Sequence, residues 1–198
     1  MSGARWRFRP RLGPTLGALL AVLLLVGLGT WQMQRLAEKR ALIAELAARL
    51  DQPPAALPAT IPDAAALEFV PVRLRGTFLH DRELYVGARP YRGEVGFHVV
   101  TPFVLEDGRT VLIDRGWVPG ARRPPETRAA GQVSGTVTAE GLIRSGGWKG
   151  YDLFRPANRS AENEWLWMDL PAMAARAGVG DALTTVYVAA GAGENPDG

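Results

Sequence analysis

The 198-residue sequence contains no cysteine and only two histidines, His80 and His98. The lack of cysteine excludes disulfides, thiolate zinc sites and a cysteine nucleophile. Two histidines leave little room for a histidine-rich metal site. The sequence also lacks the G-x-S-x-G, H-E-x-x-H, P-loop and G-x-G-x-x-G patterns of common enzyme classes. These absences favour binding or scaffolding over catalysis.

The body of the chain also lacks an excess of either charge. The formal net charge is +3, from 23 basic and 20 acidic residues. Four of the basic residues, Arg5, Arg7, Arg9 and Arg11, lie in residues 1–11, which contain no acid, so 19 basic residues face 20 acidic ones elsewhere. A nucleic-acid binder would need a basic patch on its folded part, so we expect no nucleic-acid partner. Residues 1–11 instead predict a basic cytoplasmic tail.

Charge is missing altogether from residues 12–34, which predict a transmembrane helix. At the rise of an α-helix this segment would be about 35 Å long, enough for a hydrocarbon core of about 30 Å. Pro14 lies near its start, where a missing N–H does no harm. Trp6 and Trp31 bracket the segment, as is typical of aromatic residues at the two membrane interfaces.

One alternative to this membrane helix is open at the level of sequence. Residues 16–28 could be the apolar part of a signal peptide, and cleavage after Gly29 would release a secreted β-domain. Helix-like sequence that continues beyond Trp31 to Leu50 favours the uncleaved helix.

The orientation of this helix is a separate question. Basic residues are equally numerous on its two flanks, so the positive-inside rule alone decides little. The shorter, denser N-terminal flank favours a cytoplasmic N-terminus and an extracytoplasmic domain.

The remaining sequence predicts a mainly β (α+β) domain after this anchor. Residues 35–66 predict a helical extension followed by a Pro/Ala linker, and residues 67–190 predict a β-rich soluble domain before a polar tail at 191–198. One helix is expected at Leu170–Ala177. It should end there because the helical pattern stops at Gly178. Strands are expected at residues 69–75, 83–86, 97–105, 110–118, 133–143, 164–168 and 184–189.

Four polar residues could carry chemistry, although each has a simpler interpretation. His80 is typical of a solvated turn, and His98 of a packed or half-exposed strand position. Asp114 and Arg115 interrupt an apolar strand, which favours a charge pair at the wet edge of a sheet. The alternative is that Arg115 is presented to an acidic group such as a carboxylate.

Tryptophans suggest a second pair of alternatives. Trp117 is expected to anchor the core, with the adjacent Gly116 allowing the backbone to approach it. Trp165 and Trp167 lie two residues apart and hence on one strand face. They are expected to pack in the core or against the membrane, and the alternative is that they flank a planar cofactor.

In order along the chain, four blocks of residues resemble the surfeit locus protein one family, the cytochrome c oxidase assembly factors of mitochondria and bacteria. The blocks are Leu28-Gly-Thr-Trp-Gln-x-x-Arg-Leu36; Arg75-Gly-x-Phe78 with Val86-Gly-x-Arg89; Gly96–Pro102 with Leu112–Pro119; and Pro156, Asn158, Asn163-x-Trp165 and Asp169 with Met173. The motif positions that the resemblance marks as structural or partner-binding are Trp31, Gln32, Arg35, Gly76, Arg115, Gly116, Trp117, Pro119, Asn163, Trp165 and Asp169.

The resemblance implies a membrane protein without enzymatic activity that serves oxidase assembly. The expected partner is subunit I of the oxidase or its assembly intermediates. The expected location is the bacterial inner membrane, with the β-rich domain on its extracytoplasmic side. Haem a is the cofactor that the resemblance implies. The family continues into a second helix that carries the histidine discussed as its ligand, and we expect this sequence to lack that helix. The alternative function is an anchored extracytoplasmic enzyme or binding domain that uses Asp114, Arg115 or His98.

Overall fold

A computed structural model describes residues 11–161 and 163–190. The predicted polar tail and all of the predicted basic tail except Arg11 lie outside these residues. The chain divides after Ala48 into two compact units.

Helix α1, Leu12–Leu50, provides the described part of the first unit and continues two residues past Ala48, and none of its residues is buried. At the usual helical rise its 39 residues extend about 58 Å. By length and composition the helix is long and apolar enough to cross a membrane. The predicted continuation beyond Trp31 is confirmed, since the same helix includes Arg35, which forms an exposed ion pair with Glu38 at 3.3 Å. A signal sequence can share this length and composition.

In its described residues the second unit is a mixed eight-stranded sheet with one short α-helix, which confirms the mainly β prediction. The elements are β1 Pro71–Phe78, β2 Leu84–Tyr91, β3 Glu94–Leu105, β4 Thr110–Pro119, β5 Val137–Ser145, β6 Arg159–Ala161, β7 Glu164–Trp165, α2 Leu170–Arg176 and β8 Val186–Ala189.

Three differences from the predicted strands have identifiable physical causes. The strand expected at 164–168 ends after Trp165, because the Asn158 side-chain oxygen accepts the backbone N–H groups of Leu166 and Trp167 at 3.1 and 2.9 Å. The strand expected from residue 133 begins only at Val137, after Gly135 turns the chain with a φ of 82°. β6 was not predicted, since three residues carry too short a pattern.

Five of the strands close into a ring. The sheet order is β1-β5-β8-β4-β3-β2-β7-β6, and β1 also pairs with β3. β1 pairs with β5 through residues 71–76 and with β3 through residues 76–78, so Gly76 belongs to both ladders. Each strand of the ring is therefore paired on both sides, while β2, β7 and β6 extend the sheet outward from β3.

Three apolar clusters stabilise this arrangement, and the smallest contains Tyr85, Val99 and Val118. The largest one draws on every strand of the ring and also includes Leu57, from the predicted linker. Its other buried members are Val72, Leu74, Phe103, Leu105, Val111, Ile113, Ile143, Val186 and Val188. The second cluster packs α2 against β2, β3 and β4 and contains Trp165. Trp165 is 5% exposed, so the core interpretation of this residue is confirmed.

Asp169 caps the N-terminus of α2. Its Oδ1 accepts a hydrogen bond from the Ala172 N–H at 3.4 Å, and its Oδ2 accepts one from Asn158 Nδ2 at 3.4 Å. Asp169→Ala is therefore expected to lower the free energy of unfolding by about 1 kcal/mol, measured by urea denaturation. Asp169→Asn keeps an acceptor and should lose less. Equal stabilities for the two variants would show that the cap contributes nothing.

Candidate functional site

Asp114 and Arg115 are adjacent on β4 but belong to two different clusters. Both residues are buried, at 6% and 7% exposure. Asp114 contacts His98 across the β3–β4 ladder at 3.0 Å, whereas Arg115 contacts Glu83 at 3.2 Å. The expected charge pair at a wet sheet edge is therefore wrong, because successive strand residues face opposite sides and each finds its own buried partner.

The Glu83 carboxylate is the centre of the first cluster. Arg115 Nη1 donates to its Oε1 at 3.2 Å, and Arg128 Nη2 donates to its Oε2 at 2.8 Å. The Tyr85 hydroxyl donates to the same Oε2 at 3.3 Å. One buried carboxylate thus holds two buried guanidinium groups, and this set of four residues is called the Glu83 network below.

Backbone carbonyls accept further hydrogen bonds from the two arginines, whereas the buried Arg128 Nη1 has no partner among the described residues. Arg128 has no exposed surface; its Nε donates to the Arg122 carbonyl at 2.7 Å and its Nη2 to the Arg123 carbonyl at 3.1 Å. Arg115 Nη2 donates to the Gly131 carbonyl. These carbonyls belong to the loop between β4 and β5, which therefore wraps around the two cations. The network ties this loop to β2 and β4.

His80 joins the network through Arg115. Its Nε2 lies 2.9 Å from the Val133 carbonyl oxygen, which can only accept, so the proton is assigned to Nε2. Nδ1 then accepts from Arg115 Nη1 at 3.3 Å. The side chain is 15% exposed and its ring lies 5.4 Å from the Phe78 ring. The expected solvated turn histidine is therefore wrong, since the turn folds back onto the sheet.

Burial controls the ionisation of two network residues. Burial lowers the pKa of Arg115; the Glu83 carboxylate opposes this shift and the Arg128 charge adds to it. Burial, together with the adjacent Glu83 charge, raises the pKa of Tyr85 from 10.0 to about 12. Both shifts reflect charges held away from water.

The raised pKa of Tyr85 predicts alkaline destabilisation. Between pH 10 and about 12 the unfolded chain releases the phenolic proton while the folded chain keeps it. Stability contributed by this group should therefore fall as the pH rises through that window. Tyrosinate absorbance of the folded protein should show a late step that Tyr85→Phe removes. A titration identical in the two proteins would contradict the shift.

A polar cleft of about 570 Å³ opens beside the Glu83 network. The Arg123 guanidinium lies over the rings of Tyr85 and Phe97, at 5.1 and 5.2 Å from their centroids. The Asn163 carbonyl accepts the Tyr85 N–H at 2.8 Å, and its buried side-chain oxygen has no partner among the described residues. The cleft is lined by His80, Asp81, Glu83, Tyr85, Arg123, Pro124, Pro125, Gln132 and Asn163. Its mixture of donors and acceptors suits the binding of a polar group.

The second cluster is the pair of His98 and Asp114. His98 Nδ1 lies 3.0 Å from Asp114 Oδ2, and the Gly116 N–H donates to Asp114 Oδ1 at 3.0 Å. The His98 side chain is 32% exposed, which confirms the prediction of a half-exposed strand histidine. The carboxylate orients the imidazole ring. Within residues 11–161 and 163–190, no group of three or more His, Asp or Glu side chains is placed to hold a metal ion.

Trp117 is a core residue, as predicted, but the glycine that accommodates it is a different one. The side chain is 3% exposed and its ring lies 5.4 Å from that of Tyr91. A Cβ on Gly96 would lie 2.4 Å from the indole, so Gly96 on the neighbouring strand makes room for it. Gly116 instead has a φ of 113°, a backbone conformation that favours glycine.

The structure brings together only two of the motif positions at the cleft: Arg115 through the network, and Asn163 in the lining. Of the others, Trp31, Gln32 and Arg35 lie on the exposed α1, and Gly76 lies at the ring closure. Gly116, Trp117 and Pro119 lie on β4. Trp165 lies in the core, and Asp169 caps α2. The prediction missed Glu83, Tyr85 and Arg128. A glutamate at the start of an apolar strand is a sequence signal that could have identified Glu83, whereas no such signal in the sequence marks Arg128.

Comparison with known proteins gives a consistent family match. The family model described as SURF1 family matches residues 19–198. A SURF1-like protein of Monosiga brevicollis is 46% identical over 169 residues, covering 79% of this chain and 64% of the relative. Surfeit locus protein 1 is 43% identical over 163 residues in Mus musculus and 41% over 164 in Homo sapiens, covering 75% of this chain and 53% and 54% of those relatives. The chain thus spans between about half and two thirds of the length of these relatives.

Proposed function

The chain belongs to the SURF1 family, and on that premise we propose that it is a membrane-anchored assembly factor of cytochrome c oxidase. The observation that carries the proposal is the family match over residues 19–198, supported by identities of 41–46% to the relatives named above. Helix α1 would supply the anchor, because its length and hydropathy suit a membrane span. The β unit would supply the surface that binds an assembly intermediate.

The finer parts of the proposal concern the partner and the compartment. Subunit I of the oxidase is the proposed partner, and the cleft beside the Glu83 network is the proposed contact region, since it combines fixed cations with open polar groups. The proposed location is the bacterial inner membrane with the β unit extracytoplasmic. The arginine-rich residues 1–11 support that orientation.

Haem a is assigned to no residue here. His80 engages both ring nitrogens, with Val133 and Arg115, and His98 engages Nδ1 with Asp114. We propose a role without turnover in which the chain stabilises subunit I during maturation of its haem a centre.

Deletion of the gene tests this function. The expected result is a loss of the cytochrome aa3 absorbance of membranes, while extractable haem a remains, and restoration when the full chain is supplied. Normal oxidase in the deletion strain would refute the proposal. Loss of extractable haem a would place the function in haem synthesis instead.

The second candidate is an anchored extracytoplasmic enzyme, favoured by the oriented His98–Asp114 pair. Complementation of the deletion strain with His98→Ala and Asp114→Asn separates the enzyme from the assembly factor. Arg115→Lys serves as the comparison variant from the Glu83 network. A catalytic role requires that the first two variants abolish function while urea denaturation shows a folded domain. Full complementation by both would eliminate this candidate.

A further inference from the structure

An exposed apolar loop lies between β5 and β6, and we call residues 148–155 the apolar loop. Tyr151, Leu153 and Phe154 are 84%, 87% and 74% exposed. Within the described part of residues 51–190, the other exposed large apolar side chains are Val95 and Val133, which are isolated. Single exposed apolar residues need no explanation, but three within four positions do.

The loop is held in shape by its own hydrogen bonds. Trp148 Nε1 donates to the Tyr151 carbonyl at 3.1 Å, and the Phe154 N–H donates to the same carbonyl at 3.0 Å. The Arg155 N–H donates to the Asp152 carbonyl at 3.1 Å. A Cβ on Gly150 would lie 2.5 Å from the Trp148 ring, so the indole packs on the bare glycine. Residues 152–154 form a 3-10 turn whose apolar side chains point outward while several backbone groups are paired internally.

Charge and composition identify the surface that such a loop fits. Lys149 and Arg155 flank the apolar tip, and Asp152 is the one acid within the loop. Trp and Tyr are the residues preferred at membrane interfaces, and basic residues beside them are attracted to anionic headgroups. Because several backbone groups of the loop are hydrogen-bonded within the loop, its transfer from water into the bilayer costs less free energy. Three exposed large apolar side chains are too few for a standard protein interface, which buries about 1,200–2,000 Å².

We propose that the apolar loop inserts shallowly into the bilayer that carries α1, as a second contact between this chain and the membrane. The inference rests on the membrane anchoring within the proposed function. It is independent of the oxidase partner. Anchoring by α1 keeps the β unit at the membrane, so a weak second contact suffices to orient it.

The lack of cysteine makes a depth measurement direct, because any introduced cysteine is the sole thiol of the chain. Leu153→Cys in the full chain is labelled with an environment-sensitive fluorophore and reconstituted into phosphatidylethanolamine–phosphatidylglycerol vesicles that contain a nitroxide lipid. Val95→Cys is the matched control, as an exposed but isolated apolar residue, and Leu24→Cys reports on α1. The Leu153 label should shift to the blue and be quenched, whereas the Val95 label should do neither.

Each outcome has one consequence. Quenching at Leu24 but not at Leu153 overturns the loop insertion and leaves the anchor. No quenching at Leu24 refutes the anchor and the insertion together. Quenching at Leu153 supports the insertion even if deletion of the gene leaves the oxidase normal. Adding Phe154→Asp to the Leu153→Cys chain should reduce the quenching, while Asp152→Asn should not.

Discussion

Replacing Glu83 by alanine is expected to destabilise the β unit severely. The substitution leaves Arg115 and Arg128 buried without their shared carboxylate. Removing one partner from a buried ion pair typically costs about 3–5 kcal/mol, because the remaining charge stays desolvated. Domains are stable by only about 5–15 kcal/mol, so the variant should unfold at much lower urea concentration or fail to fold.

Glu106→Ala is the matched control for the loss of Glu83. Glu106 pairs with Arg75 at 2.7 Å, a shorter contact than that between Glu83 and Arg115, but both side chains are more than half exposed. Such pairs contribute about 0–1 kcal/mol, so this variant should remain close to wild type in urea. Equal effects of the two substitutions would show that burial does not determine the strength of the Glu83 network.

Replacing Gly76 by alanine is expected to open the ring of strands. A Cβ at this position would lie 2.0 Å from the Val104 carbonyl oxygen, which belongs to the backbone of β3 and cannot rotate away. Overpacking within a well-packed core typically costs about 1–3 kcal/mol and sometimes more, and here β1 and β3 must separate. Urea denaturation should show the loss. Amide exchange should quicken at the β1–β3 pairs, Thr77 with Val104 and Phe78 with Phe103.

Gly180→Ala provides the corresponding control. A Cβ on Gly180 would meet nothing within 4 Å, and its φ lies outside the left-handed region. The substitution should change the stability by no more than about 0.5 kcal/mol. If Gly76→Ala were equally mild, the ring would not depend on the close approach of β1 to β3.

Much of the fold was predictable because its signals are local. The apolar run predicted α1, short apolar and β-branched runs between turn signals predicted seven of the eight strands, and the pattern that stops at Gly178 predicted α2 close to its observed bounds, Leu170–Arg176. The ring could not be predicted, because the pairing of β1 with both β3 and β5 joins segments far apart in the chain. β7 ends early for the same kind of reason, since Asn158 takes over its N–H groups.

The site was predicted only in part, and the missing part is the long-range one. Arg115 and Asn163 were among the predicted positions, but their roles were not. Glu83 and Arg128 are 45 residues apart, and no local pattern links them. Their ion pair is the centre of the site because both side chains are buried, and burial is a property of the folded chain.

The sequence by itself determined the membrane-type helix, the mainly β character of the domain and the family, because hydropathy, alternation and ordered motifs are written along the chain. Only the tertiary structure decided that Asp114 and Arg115 face different partners, that His80 is enclosed, and that Glu83 holds two buried cations. These features depend on which strands and loops become neighbours, and that is decided only when the chain folds.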